Sequence, residues 1–184
     1  MNADPELSVR PIEPGDKDAL LTAFSHLSEE SRYRRFLAPI TRLTASQLAY
    51  LTELDHQDHE ALIALTPEGE IVGVARYIRD QDRPGAAEVA VTVADDWQRR
   101  GIGTALLHRL AQRARDAGIE SFVGYCLAEN QEMLQLLDEV GPVAKRRTPE
   151  GGTIEVEVEL PSRVEPEHAR PFLRAVAQRR AGPR

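Results

Sequence analysis

A glycine-bearing turn joins a strand to a long helix within residues 86–107, and this run constrains the fold more than any other part of the chain. Three valines alternate with smaller or polar residues before the turn, which is typical of a half-buried β-strand. Gly101 and Gly103 allow the main chain to approach a ligand closely, and the following helix directs its positive end to the same point. The pattern therefore predicts a site that holds a phosphate group.

The composition limits the number of domains and the classes of partner. With 184 residues, of which 41% are hydrophobic, the chain can bury one substantial core. The formal net charge of -7 argues against nucleic-acid binding, which needs a basic surface. We expect one folded domain over residues 1–160 and an arginine-rich helical tail over residues 161–184, which contain six arginines and two glutamates.

Cysteine content and hydropathy indicate where the protein works. The single cysteine, Cys126, excludes an intrachain disulfide and fits a reducing compartment. No basic segment followed by an apolar run begins the chain, and no stretch is apolar enough to span a membrane. We therefore expect a cytoplasmic protein without a membrane partner, and its oligomeric state stays open.

Hydrophobic periodicity predicts a mixed α/β sheet of about seven strands with flanking helices and a C-terminal accessory helix after Pro166. A strand over 121–127 should return beside the valine strand through a right-handed crossover, which makes that pair parallel. The other predicted strands are 6–12, 60–65, 70–78, 143–147 and 153–160, and helices are predicted from Pro14, over 28–36, from Thr44, over 104–117 and over 130–140.

Two other interpretations of the glycine turn are a dinucleotide-binding motif and a plain helix start without a ligand. The dinucleotide motif requires three glycines in the first strand-to-helix turn. Here only two glycines fit the spacing, and four strands precede the turn. A six-residue motif of this kind is weak alone, so its position between a strand and a long helix carries the argument.

In this setting the segment Gln98-Arg99-Arg100-Gly101-Ile102-Gly103 resembles the GNAT superfamily of acetyl-CoA-dependent N-acetyltransferases. The resemblance covers about residues 7–160 and implies the GNAT fold, with acetyl-CoA as co-substrate. It also implies that the main chain of Val91 and Val93 pairs with the pantetheine arm. The amides from Arg99 to Thr104 would then bind the pyrophosphate.

The resemblance gives further side chains a place beside the cofactor. Gln98, Arg99 and Arg100 would lie near the pyrophosphate, although both arginines could instead be solvated residues at a helix start. Asn130 would make a polar contact to the cofactor and could also serve as a helix N-cap. The full set of expected cofactor residues is Val91, Val93, Gln98, Arg99, Arg100, Gly101, Ile102, Gly103, Thr104 and Asn130.

Acetyl transfer to an amine requires a base, because a lysine ammonium has a pKa near 10.4 and its neutral form costs about 4–5 kcal/mol at pH 7. Glu88 begins the valine strand and shares a face with Ala90 and Thr92, opposite the valines. We expect Glu88 to be this base. An ordinary exposed glutamate at a strand start is the alternative.

Three segments give a narrower resemblance, to the bacterial Pat-type protein lysine acetyltransferases: 31–36, 87–90 and 127–130. It implies that Glu88 is the general base and that the acceptor is a protein lysine, with acyl-CoA synthetases as the favoured targets. Many relatives carry an extra cyclic-nucleotide-binding or acyl-CoA-synthetase-like region, and in 184 residues we expect neither. Two alternatives stay open: acetylation of a small-molecule amine, and an acetyl-CoA-binding module without catalysis.

Two departures from the family pattern and two other motifs complete the prediction. The helix after the second parallel strand carries no tyrosine at residues 133–137 to protonate the leaving thiolate, and it ends in Gly141-Pro142 instead of Gly-Phe. The histidine- and acid-rich run at 55–60 is expected to be a polar linker with no metal, and Cys126 a buried structural thiol.

Overall fold

The structure is a computed structural model, and it describes residues 6–148 and 152–161. Within these ranges it contains seven strands: β1 (Ser8–Pro11), β2 (His59–Leu65), β3 (Ile71–Arg79), β4 (Ala86–Val93), β5 (Ser121–Leu127), β6 (Val143–Arg147) and β7 (Thr153–Glu159). The α-helices in the same part of the chain are α1 (Lys17–His26), α2 (Glu29–Phe36), α3 (Ala45–Thr52), α4 (Ile102–Asp116) and α5 (Gln131–Val140).

The strands form one mixed sheet in the order β1-β2-β3-β4-β5-β7-β6. The pair β4–β5 is parallel and is connected through α4, whereas the other neighbouring pairs are antiparallel. The predicted mixed α/β fold with about seven strands is thus confirmed. The arginine-rich tail expected over 161–184 lies outside the described residues, apart from Pro161. No helix in the described ranges is long and apolar enough to cross a membrane.

Helices cover both faces of the sheet. The larger core lies between the sheet and the two helices α4 and α5, and includes Val89, Leu106 and Leu137. Two smaller apolar clusters lie on the opposite face beneath α1 and α3, while α2 packs beside β4 and β5. Because side chains alternate along a strand, β4 directs its valines to the first face and Glu88 to the second.

The parallel pair β4–β5 separates partway along its length. Pairing begins at Ala86–Ser121 and its last register position is Val89–Gly124. Both strands continue beyond that point, β4 to Val93 and β5 to Leu127. A gap therefore opens between two central strands at the edge of the sheet where α4 begins.

Helix α4 begins two residues earlier than the sequence suggested, at Ile102 instead of Thr104. Gly101 is its N-cap and has a left-handed backbone (φ 80°), a conformation that costs a glycine little. Gly103 lies inside the first turn, where a Cβ atom would come within 3.3 Å of the Leu136 side chain. The absence of side chains at both positions brings the helix start close to α5 and to the gap.

A buried carboxylate ties β2 to the far end of α4. Glu60 is fully buried and accepts hydrogen bonds from Arg113 Nε at 2.6 Å and from the Ala61 amide at 2.9 Å. Its Oε1 atom also lies 2.7 Å from His56 Nδ1. Asp55, in the same linker, accepts three backbone amide hydrogen bonds through Oδ1. The polar run at 55–60 thus serves loop structure and helix anchoring.

Replacing Glu60 with alanine is expected to lower the free energy of unfolding by about 3 kcal/mol, since it leaves Arg113 without its buried partner. The matched control is Glu53→Ala, because the ion pair of Glu53 with Lys17 is exposed and should contribute less than about 1 kcal/mol. Urea unfolding followed by circular dichroism measures both. Equal midpoints for the two variants would contradict the anchoring role of Glu60.

Candidate functional site

The gap between β4 and β5 opens into a cleft of about 340 Å³. Its walls come from α2, the end of β4, the turn before α4, the end of β5 and the start of α5. Of the residues expected at the cofactor site, Val91, Val93, Gln98, Arg99, Gly101, Ile102, Gly103, Thr104 and Asn130 line this cleft. The fold therefore brings together, around one cavity, residues that are separated by up to 39 positions in the sequence.

The main chain of β4 directs its free polar groups into the cleft. The Ala94 amide donates to Val72 O at 2.9 Å, so this position of the ladder is hydrogen-bonded to β3. Adjacent residues of an antiparallel strand point their amides in opposite directions. The amides of Val93 and Val91 therefore point away from β3, into the gap that β5 leaves. An extended ligand with amide groups can pair with them as an added strand would.

The turn before α4 presents backbone amides to the other end of the cleft. Arg99 and Gly101 both adopt left-handed backbone conformations, with φ values of 59° and 80°. In the part of the chain that the structure describes, no side chain caps the start of α4. The amides of the first helical turn thus face the cleft without a side-chain acceptor, and a helix N-terminus of this kind favours an anionic group.

Several predicted polar side chains have partners within the protein. Gln98 Nε2 donates to Val93 O at 3.1 Å, which braces the turn against the end of β4. Thr104 Oγ1 donates to Glu139 at 2.8 Å. Asn130 accepts from the Met133 amide at 3.1 Å and is the N-cap of α5, one of the two roles expected for it. These side chains shape the cleft in addition to any ligand contact.

The two arginines of the turn have different surroundings. Arg99 lines the cleft, with an 85% exposed side chain that lies 3.4 Å from Glu132 across the opening. Arg100 is absent from the lining. Its guanidinium stacks 4.9 Å from the centre of the Trp97 ring and donates to Asp96 O at 2.9 Å. Arg99 is therefore the better placed of the two cations to meet a phosphate in the cleft.

Asp95 fastens α2 to the end of β4. Its carboxylate accepts hydrogen bonds from the Ser28 amide at 3.0 Å, from Ser28 Oγ at 2.9 Å and from Ser31 Oγ at 2.7 Å. Burial opposes ionisation of Asp95, but these hydrogen bonds outweigh it and hold the pKa of the carboxyl below its usual value. The sequence could not reveal this contact, because the partners are more than sixty positions apart.

Glu88 stands on the α2 face of β4, just beyond the residues that line the cleft. Its side chain is exposed. The charge of Glu88 affects two neighbouring side chains. Burial lowers the pKa of Arg35, and Glu88 partly offsets that effect. Burial also raises the pKa of Tyr125, with smaller contributions from Glu155 and Glu88. A carboxylate that is open to solvent and next to the cleft can accept a proton from an amine arriving on this face.

Two β5 residues at the cleft differ in what they can do. Tyr125 is 41% exposed and directs its ring to the Glu88 face, a position that sequence periodicity alone did not single out. Cys126 is 1% exposed, and burial raises the pKa of its thiol. A buried thiol with a raised pKa is a poor nucleophile, in agreement with the structural role predicted for Cys126.

Comparison with known proteins places this arrangement in a family. Residues 22–141 match the model of the acetyltransferase (GNAT) family. The chain is 34% identical to acetyltransferase Pat of Mycolicibacterium smegmatis over 154 residues, which is 83% of this chain and 45% of Pat. The chain thus spans less than half the length of that relative.

Solved structures agree with the sequence matches. The GNAT domain of S. lividans PAT superposes with a TM-score of 0.76 at 33% identity, covering 86% of this chain and 96% of that domain. The yncA protein of Salmonella typhimurium, solved with its cofactor acetyl-CoA, gives a TM-score of 0.68 at 20% identity. That alignment covers 90% of this chain and 98% of yncA, and at this identity it supports the fold alone.

Asp95→Ala is expected to weaken acetyl-CoA binding about fivefold, because loss of the hydrogen bonds from Ser28 and Ser31 at the start of α2 costs about 1 kcal/mol and loosens one wall of the cleft. Asp96→Ala is the control, since the Asp96 side chain is exposed beside the same turn. Titration calorimetry gives both dissociation constants. If the two variants bind acetyl-CoA equally well, Asp95 does not organise the cleft.

Proposed function

The chain belongs to the GNAT family of acetyltransferases and uses acetyl-CoA as its co-substrate, and from this premise we propose that it acetylates a lysine side chain of another protein. The observation that carries the proposal is the exposed carboxylate of Glu88 where β4 and β5 part. A solvent-open base suits a long side chain presented by a folded partner. The resemblance of segments 31–36, 87–90 and 127–130 to Pat-type enzymes implies acyl-CoA synthetases as the partner class to test.

In this proposal the cleft holds acetyl-CoA chiefly through the main chain. The amides of Val91 and Val93 pair with the pantetheine arm, and the amides from Arg99 to Thr104 bind the pyrophosphate. Arg99 adds a positive charge at the cleft opening. The Val93 amide also lies where it can polarise the thioester carbonyl and stabilise the oxyanion that forms there.

The chemistry is a direct transfer in a ternary complex. The neutral amine attacks the thioester carbonyl, a C–N bond forms and the C–S bond breaks. Glu88 accepts the proton that leaves the amine, either directly or through one water molecule. The acetyl group ends on the amine nitrogen and coenzyme A leaves as its thiolate.

The thiolate leaves without a tyrosine acid from α5. The α5 side chains that line the cleft are Glu132, Met133, Gln135, Leu136 and Glu139, and none is a tyrosine. A thiol has an ordinary pKa near 8.5, so its thiolate is a tolerable leaving group at neutral pH. We infer that the base carries more of the catalysis here than an acid does. The buried free thiol of Cys126 fits a reducing compartment, so we place the reaction in the cytoplasm.

Glu88→Gln is expected to reduce kcat at least about 100-fold, because glutamine cannot accept the amine proton. The dissociation constant for acetyl-CoA should stay unchanged, since Glu88 does not line the cleft. Glu120→Gln, which removes an exposed carboxylate before β5, is the matched control and should retain full turnover. Unchanged turnover in Glu88→Gln would remove Glu88 as the base.

Incubation with acetyl-CoA and candidate acyl-CoA synthetases should add 42 Da, about the mass of one acetyl group, to a lysine of the target. Mass spectrometry of the intact and digested target measures the gain, and Glu88→Gln supplies the background rate. Polyamines and free amino acids are tested in parallel. Acetylation of small amines alone would establish a small-molecule acetyltransferase, and binding of acetyl-CoA with no turnover would establish a non-catalytic module.

A further inference from the structure

A buried arginine on β3 lies close to the acceptor side of the site. Arg76 is 4% exposed, and among the described residues its guanidinium contacts only uncharged acceptors. Nη1 lies 3.1 Å from His59 Nε2 and Nη2 donates to Leu51 O at 3.3 Å. Burial, followed by the charge of Arg76, lowers the pKa of His59 to about 4, so this imidazole is neutral at pH 7. The Arg76 guanidinium therefore has hydrogen-bond partners, but these partners do not neutralise its charge.

A second arginine approaches Arg76 from α2. The Arg35 guanidinium lies 4.8 Å from the centre of the Phe36 ring, and the side chain is half-buried. Among the described residues, no carboxylate lies within 4.0 Å of the guanidinium of Arg35 or of Arg76. Arg113, by contrast, lies 2.5 Å from the carboxylate of Glu60.

The two guanidinium charges act on each other. Burial lowers the pKa of Arg76 to about 9, and the charge of Arg35 is the next largest contribution. Placing two like charges in a poorly solvated interior without a paired anion is costly. Buried charges in proteins are normally paired or coordinate a ligand. An anion bound between the two arginines would remove this cost.

A small cavity lies where such an anion would bind. It has a volume of about 60 Å³, and both Arg35 and Arg76 line it together with Thr92. The remaining lining is mostly apolar and includes Phe24 and Leu51. One water molecule needs about 10–15 Å³ of such space, so the cavity has room for a small anion such as a carboxylate. Apolar walls strengthen any charge-assisted hydrogen bond formed there.

The cavity adjoins the site of acetyl transfer. Arg35 and Thr92 line both the cavity and the main cleft. Thr92 follows Glu88 by four residues in β4, so both side chains lie on the same face of the strand. A carboxylate held by the two arginines would thus lie on the same face as the base, close to an amine that Glu88 deprotonates.

We propose that Arg35 and Arg76 bind a carboxylate of the acceptor. This inference rests on the proposed function, because it assumes that the acceptor amine arrives at Glu88. The acceptor is then a lysine with an aspartate or glutamate close to it in the folded or extended substrate. A free amino acid supplies the same carboxylate chemistry, and the experiment separates these two sources.

The test uses pairs of lysine peptides with blocked termini that differ only in one glutamate or glutamine. Each pair places the glutamate or glutamine at a different position within three residues of the lysine. Free lysine and lysine amide form one further pair, which differs in the α-carboxylate. At one position the wild-type enzyme should prefer glutamate about tenfold in kcat/KM, a preference worth about 1.4 kcal/mol. Arg35→Gln should reduce that preference to about twofold or less.

The control variant is Arg32→Gln, which removes another arginine of α2 and should keep the glutamate preference. Arg76→Gln tests the second guanidinium, and circular dichroism reports whether it folds. If Arg76→Gln does not fold, Arg35→Gln decides the question alone. Equal rates for every pair, or an equal preference in wild type and Arg35→Gln, would overturn the proposal. A preference confined to free lysine would identify a small-molecule source.

A binding measurement separates this inference from the proposed function. Thermal unfolding is followed in sodium propionate and in sodium chloride at equal ionic strength. A higher Tm in propionate for the wild type, lost in Arg35→Gln and kept in Arg32→Gln, supports the carboxylate site even if no peptide is acetylated. If peptides are acetylated but neither propionate nor glutamate has any effect, the proposed function stands and the carboxylate site is wrong.

Discussion

Strands β4 and β5 are paired from Ala86–Ser121 to Val89–Gly124, and every part of the site depends on where that pairing stops. Beyond it, each strand carries backbone amides and carbonyls that have no partner strand. Such groups are costly if they are buried, so the space between the strands must admit water or a ligand. The cleft is therefore a direct consequence of how the sheet is paired, and the side chains that line it modify its shape.

The parting of the strands is stable because neighbouring elements hold the two sides in place. Gln98 Nε2 donates a hydrogen bond to Val93 O, which links the end of β4 to the turn that follows. Asp95 fixes the start of α2 through Ser28 and Ser31, which brings Arg35 over the sheet. One short segment after β4 thus positions the cofactor side through the turn and the acceptor side through α2.

The sequence predicted the elements of this arrangement better than its contacts. The alternation of Val89, Val91 and Val93 and the glycine spacing arise from local backbone geometry, so strand, turn and helix could be inferred from residue order. The start of α4 was misplaced by two residues, since Gly101 acts as N-cap without any capping side chain. Contacts between distant segments, such as Asp95 with Ser31, leave no periodic signal in a single sequence.

The distinction between local backbone geometry and contacts of distant side chains also separates the cofactor side of the site from the acceptor side. On the cofactor side, the proposed recognition depends on backbone groups, which any sequence with this strand and turn will present, so family resemblance identifies that side readily. On the acceptor side, the proposed recognition depends on the side chains of Arg35, Arg76 and Glu88, which come from α2, β3 and β4. Those side chains carry charge into an apolar environment, where each interaction is strong and depends closely on its partner.

This difference has a consequence for specificity within the family. If Arg35 and Arg76 bind a carboxylate of the acceptor as proposed, a change at either residue alters the charge that the acceptor must supply, while the backbone of the cofactor cleft keeps its geometry. Acceptor preference can therefore diverge between relatives that share the same fold and co-substrate. Glu88 lies between the two halves. It belongs to β4, whose backbone builds the cleft, and its charge partly offsets the effect of burial on the pKa of Arg35.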